Sequence, residues 1–558
     1  MPAAKRSRAT GGAAAAAANK KRKTTQTKAK TQSPKPKQSS IGIDEGFKEG
    51  GDVHVHIDEE DGTIWDASLN LSNVSGNNNK FYMLQLIINE DAGTYYAHTR
   101  WGRVGEAGQI KTMEFDTLEA AKDEFCKKFK SKTGLEWEKR GDEPKPKKYT
   151  YLERAYDSDG DDGGNDKTDA ENESDEGYGS SGGGAKTVKS ELPIATQRLM
   201  ELIFNENHFN SVLEELGYNR EKLPLGKLGK STLQKGFEEL KELSSLIKHP
   251  KLAQNKYGRD RKEVIEEWTN KYYSTIPHVF GRDRPPLIDN DDILRREVAM
   301  LDTLTDMEVA NAIMSSTSKA GDAASVNRLD AHYRDLKLKE LAPLERTSTE
   351  YREIQKYLLD SSSDAHGLRY RLQDIFRVER PGEKERFEKS TKKLKDSRRL
   401  LLWHGSRTTN YGGILSQGLR IAPPEAPVNG YAFGKGVYLA DVSSKSANYC
   451  VPSLSGGVGL LMLVEAELSN PMYELTAGDS DAADKARRHN CIATKGVGKT
   501  GPAKWKDAKC VNEQLAGVMM PDGKPVDSNH HNGYLMFNEY ISYNVENLRI
   551  RYLVKVAM

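Results

Sequence analysis

The hydrophobic pattern of this chain changes character several times along its length. Residues 1–49 show neither a helical nor a strand period and predict no packed element. From Lys80 to Ile88 a nearly unbroken apolar run predicts a strand, Asn89 to Gly93 a turn, and Thr94 to Arg100 the returning strand. A helix is expected from about Leu118 to Lys130, with Phe125 and Phe129 on one buried face. Between residues 188 and 318 the period becomes helical. Leu233, Phe237, Leu240, Leu243 and Ile247 recur after Ser231-Thr232-Leu233-Gln234, which has the form of a capping box. Thr196–Phe204, Glu206–Gly217, Asp260–Tyr273 and Asp291–Leu301 predict further helices, and Pro224, Pro277 and Pro285-Pro286 separate some of them. Strands return later. Leu329 to Leu338 opens the last part, Tyr351 to Leu358 is helical, and Leu368–Val378, Arg399–Trp403, Val437–Ala440 and Gly459–Leu468 predict strands. A turn at Gly434-Lys435-Gly436 precedes the third of these, and Ser443–Tyr449 predicts a helix capped by Asp441 or Ser443.

Composition bounds the reading. With 558 residues, 36% hydrophobic and 30% charged, the chain has room for about three or four domains joined by long polar segments. No run approaches the roughly 18 apolar residues of a membrane helix, and Ala13–Ala18 is too small a block for a secretory signal. The cysteines Cys126, Cys450, Cys491 and Cys510 form no C-x-x-C pair, which points to a reducing compartment and against a zinc-finger array. His489 and Cys491 are neighbours without further ligands, so no metal is expected.

The net charge of +2 conceals segregation. The first 40 residues carry Lys and Arg without one acid, and Lys20-Lys21-Arg22-Lys23 reads as a nuclear import signal within a phosphate-seeking arm. A merely solvating tail or an organellar transit peptide are the alternatives. Residues 157–187 are acidic and then Gly-rich, a flexible spacer whose Asp, Glu and Ser side chains (Ser158, Ser174, Ser180, Ser181) are also candidate modification sites.

Candidate chemistry concentrates between Leu400 and Cys450, where Trp403-His404-Gly405-Ser406, several loop glycines, Tyr438, Ser446 and Tyr449 follow one another. Glycines admit close backbone approach, and His, Ser and Tyr supply hydrogen bonds and ring faces. WHGSRTTN, GLRIAPPEAP and YAFGKGVYLADVSSKSANYC, followed by Tyr534-Leu535-Met536-Phe537-Asn538-Glu539-Tyr540, strongly resemble the catalytic domain of the nuclear poly(ADP-ribose) polymerases. The resemblance implies NAD+ as substrate and His404, Tyr438 and Glu539 as the catalytic triad. It gives His404 a ribose hydroxyl, the Gly405 backbone and the Ser446 hydroxyl the nicotinamide carboxamide, and Tyr449 the nicotinamide ring. Tyr438 would wall the other side, Ser406 belongs to the same NAD+ segment, and Lys445 would position the acceptor or stabilise charge. A carboxylate at Glu539 suits a transition state resembling an oxocarbenium ion, and within the family a glutamate there goes with chain elongation.

Two more segments carry resemblance. NNNKFYMLQL and Trp101-Gly102-Arg103 resemble the WGR domain, which implies that Trp101 stacks at a DNA break while Arg103 and Lys80 contact phosphate. LPLGKLGKSTLQ and PPLIDNDDILRREVAMLDTLTDMEVA resemble the family's helical regulatory domain, which implies a screen over the NAD+ cleft that DNA binding loosens. Residues 247–271 fit that pattern least. Ala493–Thr500 matches the relaxed phosphate-loop pattern, but no buried strand leads into it and Gly501-Pro502 follows where a helix should start.

The expected architecture is multidomain α+β: a disordered basic tail (1–49), a small α+β WGR domain (50–156), an acidic linker (157–187), an all-α regulatory domain (188–318) and a mixed, antiparallel-sheet ADP-ribosyltransferase domain (323–558). The expected activity is a DNA-strand-break-activated poly(ADP-ribose) polymerase in the nucleus. Its expected partners are nicks and 5′-phosphorylated ends, acceptor proteins including itself, and chromatin and repair proteins. A mono-ADP-ribosyltransferase and a catalytically silent DNA-end scaffold are the alternatives.

Overall fold

A computed structural model describes residues 41–154, 156, 188–216, 228–319, 327–428, 431–531 and 533–558. Residues 1–40, the acidic linker, Gly217, Pro224 and the opening of the last domain at Ala323 lie outside the described residues. Residues 41–49, expected to belong to the disordered tail, instead pack on the first sheet: Ile41 is buried against Val55 and Ile87, and the buried Asp44 accepts from the Arg100 guanidinium, a partner more than fifty residues away that the local pattern does not reveal.

The first folded part is a twisted antiparallel sheet with one helix. Its strands run Gln109–Phe115, Thr94–Arg103, Asn78–Asn89, Asp66–Asn73 and Thr150–Leu152 in spatial order, with Val53–Val55 also on the third. The predicted hairpin is present, but both arms are longer than their apolar runs. The first and fourth of these strands were not predicted, because Asp66–Asn73 buries polar side chains and Gln109–Phe115 is largely exposed. The helix Leu118–Thr133 starts at the Thr117 hydroxyl, which accepts from Ala120 N–H, and ends at Gly134 with φ of +78°. Phe125 and Phe129 pack edge-on against Trp137 beneath the sheet.

The polar residues of Asp66–Asn73 are buried because they hold the next domain. Asn70 donates its side-chain amide to the Tyr273 and Ser274 carbonyls, the Ser72 N–H donates to Ser274 Oγ, and Asn79 donates to the His278 carbonyl. Asn70 and Asn73 both head glycosylation-type triplets, yet Asn70 is fully enclosed.

The second part is helical: Ile194–Ile203, Glu206–Glu215, Lys230–Lys248, Arg261–Thr275 and Asp291–Lys319. The capping box at Ser231 does not form. The Lys230–Lys248 helix is capped two residues earlier, at Gly229, and Ser231 instead gives its hydroxyl to the Glu153 carboxylate. Within 247–271 a single π-helical turn at Ala253–Tyr257 joins two helices. The last helix runs to Lys319, 29 residues, rather than stopping near Leu301. The Thr303 and Thr305 hydroxyls donate to the carbonyls four residues back, which keeps them inside the helix.

Among the described residues the third part has an eight-stranded and a four-stranded sheet. In spatial order the larger sheet is Leu535–Phe537, Gly498–Asp507, Met519–Asp527, Arg399–Ser406, Val458–Glu467, Leu548–Ala557, Arg371–Glu379 and Glu340–Pro343. The smaller is Val437–Leu439, Glu539–Ser542, Ala493–Gly496 and Tyr473–Leu475. The phosphate-loop look-alike is thus two consecutive strands with no helix to receive a phosphate. Trp403 and Ala440 exchange both backbone hydrogen bonds and bridge the two sheets. The helix predicted over Ser443–Tyr449 is α-helical only to Ala447 and continues as a 3-10 turn. Neither expected cap is made: Ser443 Oγ donates to the Leu358 carbonyl, and Asp441 is bonded elsewhere.

Candidate active site

Leu400 to Trp403 are completely buried, so this strand enters the core as an apolar rod and emerges at His404. Trp403 is pinned by its indole N–H to Ser361 Oγ at 3.1 Å and by its backbone to Ala440. Backbone direction repeats every second residue along a strand. The N–H and C=O of Gly405 therefore face the same edge as those of Trp403, one donor and one acceptor beyond the end of the pairing. A Cβ at Gly405 would stand 1.9 Å from the Ser446 carbonyl oxygen, so only glycine lets the two backbones approach. Ser446 Oγ donates to the Trp403 carbonyl at 3.1 Å, which locks the following helix over this edge.

His404 points the other way. Its Nδ1 lies 2.9 Å from the Tyr438 carbonyl, which can only accept, so Nδ1 carries the proton and Nε2 is an acceptor. Burial holds its pKa below the ordinary value, which keeps the ring neutral. Tyr438 donates its hydroxyl to the Gly434 carbonyl at 2.7 Å and accepts from the Phe433 N–H at 2.9 Å. Its ring is a rigid wall and its hydroxyl is committed to the loop. Ser406 Oγ accepts from the Asn410 amide, and Tyr449 is an exposed ring on the cavity rim.

Glu539 opens the strand Glu539–Ser542, beside Val437–Leu439. Its Oε1 is 2.8 Å from Lys445 Nζ, which also donates to the Phe537 and Asn538 carbonyls. Oε2 is buried and has no hydrogen-bond partner among the described residues. Burial pulls the Lys445 pKa down and the Glu539 charge only partly offsets it. The residues flanking Glu539 are held by one group that the sequence singled out only as a helix cap. Asp441 accepts from the Asn538 amide at 2.8 Å and from the Tyr540 hydroxyl at 2.9 Å, and burial raises its pKa to about 6. The one legible signal was its place directly after the predicted strand.

His404, Gly405, Ser406, Tyr438, Tyr449 and Glu539 line a cavity of about 1200 Å³, with Lys445 and Ser446 outside its lining, and its opposite wall is the Asp291–Lys319 helix, through Val298, Asp302, Thr303 and Asp306. That helix sits tightly on Tyr411–Gln417: a Cβ at Gly412 would come within 2.8 Å of Ala310 Cβ. Arg420 pairs with Asp306, and Arg407 reaches Thr303 Oγ1 and the Glu215 carboxylate. The cavity offers a neutral acceptor, a backbone donor and acceptor, aromatic faces and one uncommitted carboxylate oxygen, a set that fits NAD+.

The comparisons with known proteins agree with this geometry. The poly(ADP-ribose) polymerase catalytic domain matches residues 348–558, the regulatory domain of these polymerases 190–333, and the WGR domain 65–144. Poly(ADP-ribose) polymerase 2 of Arabidopsis thaliana is 37% identical over 93% of this chain and 77% of its own length. The human poly(ADP-ribose) polymerase 2 is 37% identical over 91% of this chain and 81% of its own length. Poly(ADP-ribose) polymerase 1 of Gallus gallus is 35% identical, with 90% of this chain matching 46% of that protein. The chain belongs to the poly(ADP-ribose) polymerase family. It is an NAD+ ADP-ribosyltransferase with NAD+ as substrate, of a family that binds DNA and modifies protein.

The three DNA-facing residues expected in this polymerase share one sheet face by register: Tyr82 pairs with Trp101 and Lys80 with Arg103. Trp101 stacks on Tyr82 at 6.0 Å, with Lys132 Nζ over the same Tyr82 ring at 4.5 Å. Lys80 is exposed. Arg103 is not a free phosphate contact here. Its guanidinium donates to the Asn77, Gly281 and Asp283 carbonyls, so it ties the WGR domain to the helical one. Lys132, which sequence reading missed, becomes a lysine of this face only when its helix folds back over the hairpin.

One pH dependence follows. Asp302 accepts from the Tyr431 hydroxyl at 2.6 Å across the cavity, and burial, with Asp306 adding to it, raises its pKa to about 6. A carboxyl raised above its ordinary 3.8 stabilises the docked helix fully below about pH 4, and that stabilisation is lost as pH rises through 6. With partial solvent contact the change is of order 1–2 kcal/mol. Amide exchange in residues 298–310, corrected for intrinsic rates, should speed up about tenfold between pH 5 and pH 7.5. In Asp302→Asn that step should vanish, and its survival there would refute the assignment.

Proposed function

We propose that this chain is a nuclear, DNA-strand-break-activated polymerase that elongates poly(ADP-ribose) on acceptor proteins, itself included, with Glu539, His404, Tyr438 and Lys445 as its catalytic group. The observation that carries the reading is that Glu539, whose Oε2 has no hydrogen-bond partner among the described residues, lines the same cavity as Gly405 and His404. NAD+ supplies a ribose-to-nicotinamide bond whose cleavage develops positive charge on the ribose. In this reading Glu539 places its carboxylate against that charge and accepts from a ribose hydroxyl. His404 Nε2 accepts from the ribose hydroxyl on the adenosine side. Gly405 and Ser446 hold the carboxamide, Tyr449 and Tyr438 sandwich the nicotinamide ring, and Ser406 backs the segment through Asn410. Lys445 keeps Glu539 aimed through its contact with Oε1, so orientation carries much of the rate.

Activation follows from the walls. The Asp291–Lys319 helix narrows the cleft, and its domain is held to the WGR sheet by Asn70, Ser72, Asn79 and Arg103. A nick or 5′-phosphorylated end against Trp101, Lys80 and Lys132 would shift the helical domain through those bonds, with Arg103 as the coupler. Chromatin and repair proteins are the acceptors this placement suits.

The test is NAD+ consumption and product length, with and without a short nicked duplex bearing a 5′-phosphate, for the wild type and Trp101→Ala. DNA should raise turnover at least about tenfold, the size of a modest allosteric coupling. Trp101→Ala should keep the basal rate and lose the rise. Equal stimulation of both proteins would refute the coupling.

A further inference from the structure

The face of the larger sheet under the Thr349–Asp360 helix is apolar through Leu401, Trp403, Leu461 and Leu463. At its far end it turns charged. Glu465 stands opposite Leu401 on one neighbouring strand and Arg549 on the other, with Arg551 two residues along. Arg549 and Arg551 are only 8% and 6% exposed, and Glu465 only 2%. The Glu465 carboxylate is shared: Oε1 accepts from Arg399 at 3.1 Å and Oε2 lies 3.5 Å from Arg551. Glu467 is already taken by the Ser397 hydroxyl and the Arg398 and Ser469 amides. Arg551 donates to the Gln514 side chain. The Arg549 guanidinium is left with no hydrogen-bond or ion-pair partner among the described residues, and it lines a cavity of about 490 Å³.

Lys384, Lys392 and Arg399 line the same cavity, against two carboxylates: Glu465, already shared by Arg399 and Arg551, and Glu388, 4.0 Å from Lys384. Lys389, Lys393, Lys395 and Arg398 extend the basic rim in sequence. A nine-tenths buried guanidinium whose donors no carboxylate engages, with only the more distant charge of Glu379 acting on it, is costly in the protein alone, and an anion entering the cavity relieves that cost. Arginine forks with flanking lysines match phosphate oxygens. The site is remote from the chemistry. Arg399 begins the strand on which His404 lies five residues on, about 17 Å away at strand rise.

We propose that this cavity is a second, non-catalytic site that binds a diphosphate group. Resting on the polymerase reading, its occupant is a unit of the product chain, which carries one diphosphate per ADP-ribose, so the site holds back a growing polymer.

The experiment titrates inorganic pyrophosphate and orthophosphate into the full chain by calorimetry, for wild type, Lys384→Ala/Lys392→Ala and Arg549→Gln. Pyrophosphate should bind saturably at one site and about tenfold more tightly than orthophosphate, the value of one further charged contact. The exposed lysine pair should weaken it about tenfold and Arg549→Gln further, with the KM for NAD+ unchanged. Undetectable binding, or equal binding by wild type and the lysine variant, overturns the site. Orthophosphate binding as tightly overturns the diphosphate assignment. Binding needs no turnover, so it is read separately from polymerase activity. Product length completes the test: the lysine variant should make shorter chains at an unchanged initial rate. Unchanged length, or displacement of pyrophosphate by duplex DNA but not by ADP-ribose, overturns the product chain as occupant.

Discussion

Replacing Glu539 by glutamine should lower DNA-stimulated nicotinamide release by about 10²–10³-fold, or roughly 3–4 kcal/mol of transition-state stabilisation. Oε1 accepts from Lys445 Nζ and Oε2 has no partner among the described residues. An amide in that place must still give its oxygen to the lysine, which has only donors. Its NH₂ then takes the place of Oε2, a donor and a partial positive charge where an acceptor and a negative charge stood. Lys445 keeps its bonds to the Phe537 and Asn538 carbonyls, so the fold survives the change. The loss should therefore appear in kcat with little change in the KM for NAD+, and the residual product should be short. Turnover within about fivefold of the wild type would remove Glu539 from the chemistry, since a single oriented donor or charge normally does more.

Gly405→Ala should be nearly as damaging for a different reason. The new methyl would stand 1.9 Å from the Ser446 carbonyl oxygen and 3.3 Å from Cys450 Sγ. The Ser446 backbone has little room to retreat, because its hydroxyl is tied to the Trp403 carbonyl and Lys445, one residue before, holds Glu539. Relief of the clash displaces the Gly405 backbone edge and the Lys445–Glu539 pair together. Overpacking against backbone of this kind costs about 2–4 kcal/mol, which lowers the melting temperature of a domain of this size by several degrees. Turnover should fall below about 1% of wild type, since a misplacement of about 1 Å already costs 10²-fold. Gly141→Ala, whose Cβ would meet nothing within 4 Å, is the neutral control. A Gly405→Ala protein with wild-type melting and turnover would mean that this edge yields.

Much of this was legible before any coordinates. The apolar run into Trp403, the hairpin at Asn89–Gly93 and the helix around Phe125 and Phe129 are near-neighbour patterns. Strand alternation, turn chemistry and helical period act over a few residues, so sequence alone determines them. The motif residues His404, Tyr438 and Glu539 were also readable by resemblance, and they stand around one cavity. Where local rules misled, a distant partner had won. Ser231 resembles a cap but bonds Glu153, 78 residues away, and Asp441 resembles a cap but braces Asn538 and Tyr540. Asp66–Asn73 reads as polar, because Asn70 is kept for a helix some 200 residues on and Asp66 for Arg154 and Tyr156.

The sequence by itself determined the family and the elements with a clear local period, and offered the triad residues by resemblance, because those reside in short-range pattern and motif. Only the tertiary structure decided which oxygen of Glu539 stays uncommitted, that Arg103 ties two domains, and that the helix from Asp291 walls the cleft. It alone also set Arg549 beside a carboxylate already shared. Each of these depends on which groups compete for one partner, and that competition exists only after strands and helices far apart in the chain have packed together.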